Sequence, residues 1–477
     1  MSTSPIKSAA SPTKSAASLT KSVASVAKSA ALPTRAERFA KGKSLRKLTP
    51  RAAHAKLLGP MDRNSNAILE AQNGTRLPSL IPIRRQLMAE NPFAFLRGAA
   101  AVMAHDLHWQ PMVGAPVQAC GDCHLMNFGA FATPEDFILF DINDFDETLS
   151  GVDFTVDLKR LAASVAVAAA DKGLSKAERH SIAAAAVRAY RKRMEALSYM
   201  SPLEIWHSRI DLEREAKKFR SPQLRRKIAG IIARARGEGL DRDDNFPTLA
   251  ASGAPVIHDK APRLFHFAAD SDAAKGLEPQ SDIGHYLDGL QPSVRTLLDR
   301  YALRDFVFKA VGVGSVGTYC YAGLFMSGDD EPLFLQMKEA THSVLEVLDK
   351  KLAFDGHQGE RVVQGQRMMQ AASDLFLGWT ENGPSGRQYY VRVLKNRRLG
   401  GMSEIAEAEG LADYARLCGR TLARAHARSG DPALISGYMG DSDAFDEALA
   451  DFALAYEKQT EIDHEAWKTT LPATPGA

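Results

Sequence analysis

The sequence predicts an α+β protein of two lobes, and three observations carry that expectation. The first 300 residues read largely as helices, a β-rich run divided by glycine turns occupies 301–400, and helices return over 401–477. The first part holds an acidic pair of segments, Cys120-Gly-Asp-Cys-His-Leu-Met-Asn127 and Phe140-Asp-Ile-Asn-Asp-Phe-Asp-Glu147. The β-rich part holds a glycine loop, Gly312-Val-Gly-Ser-Val-Gly317, almost two hundred residues downstream of Asp122.

A chain of 477 residues, 45% hydrophobic and 25% charged, is globular and long enough for two or three cores. Its net charge of +3 hides an imbalance. Residues 1–50 hold ten Lys or Arg against one Glu, about +9, which leaves the remainder near −6. No apolar run approaches the roughly 18 residues of a membrane span, and Leu161–Ala170, the longest, is Ala-rich like a buried helix. The N-terminus has no apolar segment of the signal-peptide type, and Cys120, Cys123, Cys320 and Cys418 are too scattered for a disulfide framework. A reducing cytoplasm is the expected location.

Residues 1–45 are expected to form a disordered arm. Its imperfect heptads start at Lys7, Lys14, Lys21 and Lys28, but Ser, Ala and Pro fill the a/d-type positions, so no coiled-coil seam exists. A solvating tail fits this composition; weak contact with nucleic acid or another polyanion is the functional alternative. Residues 46–300 carry the acidic loops. The pattern from Arg46 to Leu107 is helical, punctuated at Pro60, Pro78, Pro82 and Pro92, with one helix expected from Pro92 to Leu107. A strand near Val117 and another at Phe137–Ile142 bracket the first loop, and Asp157 opens a long Ala-rich helix. Residues 174–300 read as a helical region, clearest at Glu178–Leu197 and Leu212–Arg236, with a loop over 237–262. Strands are expected at Phe306–Val311, Thr318–Met326, Pro332–Lys338 and Gln388–Leu394, with a helix from Gly359 to Leu375. The helices Ile405–Ala427 and Asp443–Gln459 close the chain.

Asp122 lies five residues before Asn127, at opposite ends of a short loop, so both side chains can reach one cleft. One carboxylate that orients an attacking group, with an amide oxygen and a second carboxylate on a metal ion, is what phosphoryl transfer from a nucleotide requires. Gly312–Gly317 fits GxGxxG, but a dinucleotide-binding loop opens a helix, whereas Thr318-Tyr-Cys-Tyr reads as a strand. A glycine hairpin of that kind can lie over phosphates, and the bland alternative is an ordinary turn. Lys338 ends an alternating strand 21 residues after Gly317 and could reach the phosphates if a carboxylate held it. Glu360, at a helix start, is the expected partner, ahead of Glu339 and Glu346. Cys120-Gly-Asp-Cys-His124 also matches the CxxCH haem pattern, a redox CxxC and half of a zinc site. Without an export signal, a following helix or further ligands, the Asp-to-Asn interval explains the segment better. His426, on an apolar helix face, reads as a buried structural histidine.

Gly121-Asp-x-His-x-x-Asn127 with Asp144-Phe-Asp146 resembles the catalytic and metal loops of aminoglycoside-phosphotransferase-type kinases. Asp157-Leu-Lys-Arg-Leu-Ala resembles the helix that braces those loops, and Gly312–Gly317, Lys338 and Glu360 resemble their nucleotide grip. The order of the halves implies a circularly permuted kinase-like fold, with Ala427–Asp431 close to Val117–Gly121. Residues from about 80 to 465 also resemble the bacterial family of domain of unknown function 2252, through Pro92-Phe-Ala-Phe-Leu-Arg-Gly, Asn143-Asp-Phe-Asp-Glu and Gly359-Glu-Arg-Val-Val-Gln-Gly-Gln-Arg.

The kinase resemblance implies a site. Asp122, Asn127 and Asp144 would be catalytic, and Asn127, Asp144 and Asp146 would hold Mg²⁺, with Asp141 the alternative to Asp144. Gly312, Gly314, Ser315, Gly317, Lys338 and Glu360 would bind ATP. Cys120 stands where such kinases commonly have His. The implied organisation is an arm over 1–45, a large-lobe half over 46–300 with a helical insertion, a small lobe over 301–400, and helices over 401–477 completing the large lobe. The implied activity is Mg-ATP-dependent transfer to a hydroxyl on an unknown small-molecule or protein acceptor, whose pocket 174–300 is expected to shape. Transfer of AMP, or non-catalytic nucleotide binding by a scaffold, are the alternatives.

Overall fold

The computed structural model describes residues 32–60, 63–133, 137–237, 247–249, 255–274, 279–310, 312–380, 385–394 and 408–471. The lysine heptads at Lys7 to Lys28 lie outside these residues. The expected arm nevertheless ends earlier than 45. Arg35–Leu45 is a helix, opened by a capping box in which Thr34 and Glu37 satisfy each other's backbone donors. It packs across the helix Pro432–Met439, and two glycines allow the close approach. A Cβ on Gly42 would stand 1.9 Å from the Leu434 carbonyl oxygen, and one on Gly437 would stand 2.1 Å from that of Phe39. Arg46 then donates to the carbonyls of Tyr438 and Gly437 at 2.8 and 2.5 Å. Basic composition concealed a glycine seam whose meaning lies in a partner nearly 400 residues away.

The helical body is built around Thr155–Asp171, which is buried from Thr155 to Ala169. Its small side chains suit an element enclosed by Lys176–Leu197, Ala408–Ala427 and Ala444–Lys468, which all pack against it, the first also packing against the other two. Two expected helices are each divided. Pro92–Gly98 and Ala100–Leu107 separate at Ala99, whose φ −110° and ψ 35° are not helical. Leu212–Ala216 and Pro222–Gly237 replace the single helix expected there, and Pro222 suits the first turn of the second. No helix among the described residues is long and apolar enough to cross a membrane.

This core encloses one ill-suited charge. Lys159 is fully buried, with Nζ 3.4 Å from the Pro111 carbonyl and 5.4 Å above the Phe452 ring. Burial pushes its ammonium down to about 7 from 10.5, with Asp153 opposing. A lysine depressed in the folded state holds fewer protons there than in the unfolded chain. Stability should therefore climb as pH rises from about 7 toward 10.5, the penalty being full below that window. Lys159→Met is expected to stabilise the protein at pH 7 by ~2–4 kcal/mol and to flatten that climb. Urea midpoints at pH 6, 8 and 10 measure both effects.

Two short antiparallel pairs carry the acidic loops: β1 (Pro116–Ala119) with β4 (Leu149–Asp153), and β2 (Phe128–Ala132) with β3 (Ile138–Ile142). The Phe-Gly-Ala-Phe-Ala of β2 has little intrinsic strand preference, and its pairing with the apolar β3 decides its state. The larger sheet is antiparallel and joins β5 (Leu264–Phe265), β6 (Tyr301–Lys309), β7 (Cys320–Ser327), β8 (Pro332–Glu339), β9 (Gly378–Trp379) and β10 (Tyr389–Val393) in the order β5-β6-β7-β8-β10-β9. Its register sets Lys338 between Cys320 and Tyr390, so all three share one face. Leu335 and Met337 alternate to the other face and pack with Tyr321, Tyr389 and Val391. The molecule is thus a mixed α/β structure in which the polar face of β8 looks toward the acidic loops.

Candidate active site

The first loop is held from below by Asp157. Its carboxylate accepts the backbone N–H groups of Cys120 and Gly121 at 2.8 and 3.0 Å. It also takes His426 Nε2 at 3.1 Å, and Tyr190 meets His426 Nδ1 at 2.9 Å. All three side chains are buried, so His426 is a structural histidine as expected, with Asp157 as its partner. Gly121 turns the chain at φ +88°, where a Cβ would lie 2.2 Å from the Glu147 carbonyl oxygen.

That turn delivers Asp122 to the cleft. Arg160, one helical turn after Asp157, donates two N–H groups to Asp122 Oδ1 at 2.9 and 2.6 Å, and a third bond ties it to the Leu96 carbonyl at 2.8 Å. Asp122 Oδ2 faces His124 Nε2 at 3.5 Å. His124 Nδ1 accepts the Met126 N–H at 3.1 Å, which places the ring proton on Nε2. Burial, with help from Arg160 and Arg97, pushes His124 down to about 4 despite Asp122, so it is neutral at pH 7. Asn127 donates its amide to the Asp122 carbonyl at 2.6 Å, leaving its side-chain oxygen as the atom able to meet a cation.

The second acidic segment divides into two roles. Asp141 is buried, bound to Arg424 and to the backbone of Ala371 at 2.9 Å, and does not line the cleft. Asp144 and Asp146 do line it, and Asp144 Oδ1 accepts the Asp146 N–H at 3.2 Å. Asp146 forms an ion pair with Lys338 and accepts the Tyr390 hydroxyl at 2.8 Å. Lys338 also donates to Ser315 Oγ at 2.9 Å. Burial opposes its charge, but Asp146, Tyr390 and Asp144 outweigh that and hold the ammonium above its ordinary value. Arg392, buried on the same face, donates to Gln336 at 2.9 Å and toward the Asn143 carbonyl at 3.3 Å.

These groups line a cleft of about 1960 Å³ together with Gly312, Gly314 and Ser315. Gly317, at φ +87°, closes the same turn against Arg76. Glu360 does not join them. Lys338 pairs with Asp146, and Glu360 neither bonds to Lys338 nor lines the cleft. Its neighbour Arg361 points inward instead, donating to the carbonyls of Asp146 and Thr341 at 2.9 and 2.7 Å and to that of Thr148. Glu339 pairs with Arg387, and Glu346 meets His342 at 3.2 Å. The region 174–300, expected to shape the acceptor's pocket, supplies a small part of this lining. Among the described residues that region contributes Lys260 and Pro262 to Leu264, while the wall comes from Ala67 to His105 and from Val344 to Gln358.

The CxxC is buried. Cys120, Cys123 and Asp157 lie within 4.8 Å of one another, but both Asp157 oxygens already accept hydrogen bonds. Burial first, with the nearby carboxylate adding to it, raises Cys120 well above its ordinary value and Cys123 to about 11. Metal binding and redox attack both need the thiolate.

Fold and cleft together define an α/β protein whose helical body and antiparallel sheet present acidic loops and a lysine-bearing strand to one shared cavity. The chain belongs to the family described as uncharacterized proteins conserved in bacteria, DUF2252, whose model matches residues 76–470. No curated protein and no solved structure matches it.

Proposed function

We propose that the protein is a Mg-ATP-dependent phosphotransferase of kinase-like, circularly permuted architecture that acts on a hydroxyl acceptor. The observation that carries this reading is the contact of Lys338 with Asp146 and Ser315. It joins the strand, the acidic loop and the glycine turn in the cleft that also holds Asp122 and Asn127. The donor set fits Mg²⁺, a hard cation that favours oxygen: the Asn127 amide oxygen with the carboxylates of Asp144 and Asp146. Bound there, the metal would neutralise phosphate charge. Lys338 would hold the phosphates, and Asp122 would orient the attacking hydroxyl. The permuted order gains support from Ser429 Oγ, which accepts the Gln118 N–H at 2.8 Å, and from the close approach of Gly430 to Val117.

ATP labelled at the γ position tests the reading. The wild-type chain is expected to turn the label over, and Lys338→Met to do so ~10²-fold more slowly. Transfer of an α label instead would make the enzyme a nucleotidyltransferase. Equal rates for wild type and Lys338→Met would remove Lys338 from the reaction, and no turnover of either label would leave a scaffold.

A further inference from the structure

The helices before the first acidic loop reach beneath the glycine turn, and they bring two arginines with them. The Arg97 carbonyl oxygen lies 3.0 Å from where a Cβ on Gly314 would sit, and its guanidinium lies 3.9 Å from the same point on Gly312. Arg76 donates to the Val316 carbonyl at 2.7 Å, and the Leu77 N–H donates to the Gly317 carbonyl, also at 2.7 Å. Both arginines line the cleft with Lys338, Asp144 and Asp146. Arg76 Nε is buried without a hydrogen-bond partner. Burial lowers the Arg76 guanidinium from its ordinary value, with Glu147, Asp146 and Glu339 offsetting part of the cost. The Leu96 carbonyl, next to Arg97 in the chain, holds the same Arg160 that holds Asp122, which puts Arg97 on the Asp122 side of the turn.

We infer that Arg76 and Arg97 form a second cationic wall, opposite Lys338, which seats the terminal phosphates of a nucleoside triphosphate under the glycine turn. The inference rests on the nucleotide reading above and deepens it. A guanidinium offers a planar fork of donors that matches phosphate oxygens, so this wall reads phosphate number and not the base. Arg97, nearer Asp122, would meet the phosphoryl group to be transferred. Arg76, beneath Val316 and Gly317, would meet the group behind it. Pro92-Phe-Ala-Phe-Leu-Arg97-Gly thereby gains a role beyond packing: Leu96 anchors Arg160, and hence Asp122, while Arg97 faces the glycine turn.

Calorimetric titration of the full chain with Mg-ATP, AMP and magnesium tripolyphosphate tests the wall. Wild type is expected to prefer ATP over AMP and to bind tripolyphosphate. Arg97→Gln is expected to weaken ATP and tripolyphosphate ~10–100-fold with AMP held within about twofold. Arg97→Lys, which keeps the charge and loses the fork, should fall between, and it carries the test if Arg97→Gln melts below the assay temperature. A wild-type ratio of ATP to AMP affinity in both variants would overturn this inference alone. A wild-type protein that binds none of the three probes would overturn the nucleotide reading as well.

Discussion

Asp122→Asn is expected to lower phosphoryl transfer ~10²–10⁴-fold while leaving nucleotide affinity within about twofold. The substitution preserves shape, and the surrounding donors decide its orientation. Arg160 has no acceptor, so the new amide must turn its oxygen toward the two guanidinium N–H groups that Oδ1 now receives. Its NH₂ then takes the place of Oδ2, facing His124 Nε2, which already carries a proton. The attacking hydroxyl would meet a donor where it needs an acceptor. His124 presents the Nε2 proton to that position, so it cannot accept the hydroxyl's proton in place of the carboxylate. Single-turnover rates with labelled ATP, set beside nucleotide titrations, separate the two quantities. Unchanged turnover would withdraw Asp122 from the chemistry, and a loss confined to binding would make it a structural carboxylate.

What the sequence revealed of this site, and what it hid, follows from how far each signal reaches along the chain. The Asp122-to-Asn127 interval, the glycine turn and the alternation that ends at Lys338 are local. The structure places Asp122, Asn127, Gly312, Gly314, Ser315 and Lys338 on the cleft, while Gly317 closes the turn without lining it. The strand around Lys338 appears within a residue of its expected ends, because Leu335, Gln336, Met337 and Lys338 alternate apolar and polar, although both faces of that stretch are buried. The partner of Lys338 was not local. Glu360 and Arg361 differ by one step on a helix, about 100° of rotation, and only the packing of that helix decides which of them turns inward. Beyond Gln358 on its own helix, the acceptors of Arg361 are backbone carbonyls of Asp146, Thr148 and Thr341, and carbonyls leave no trace in a sequence. Arg160 stands inside the Asp157-Leu-Lys-Arg segment with nothing local to mark it, since its partner lies 38 positions earlier. The wall from Ala67 to His105 was hidden for the same reason: its closeness to the glycine turn joins segments more than two hundred residues apart.

Asp157→Ala is expected to destabilise the fold by ~3–5 kcal/mol. The side chain is fully buried and accepts three donors: the N–H groups of Cys120 and Gly121, and His426 Nε2. Removing it strands all three away from water, at ~1–3 kcal/mol for each unsatisfied group, with relaxation recovering part of the sum. Asp157→Asn should cost less, since one amide oxygen can still accept, but its NH₂ must then oppose one of the remaining donors. Urea unfolding measures both. Because His426 shares the same carboxylate, Asp157→Ala and His426→Ala should be less than additive in the double variant. A loss below about 1 kcal/mol, or strict additivity, would show that water or a neighbouring group satisfies the loop without Asp157. The same bonds bear on the chemistry. Cys120 and Gly121 immediately precede Asp122, so a loop released from Asp157 shifts the carboxylate against a hydroxyl it must meet within hydrogen-bond reach. Turnover by Asp157→Asn should accordingly fall more than its folded fraction does, measured where that fraction remains near one.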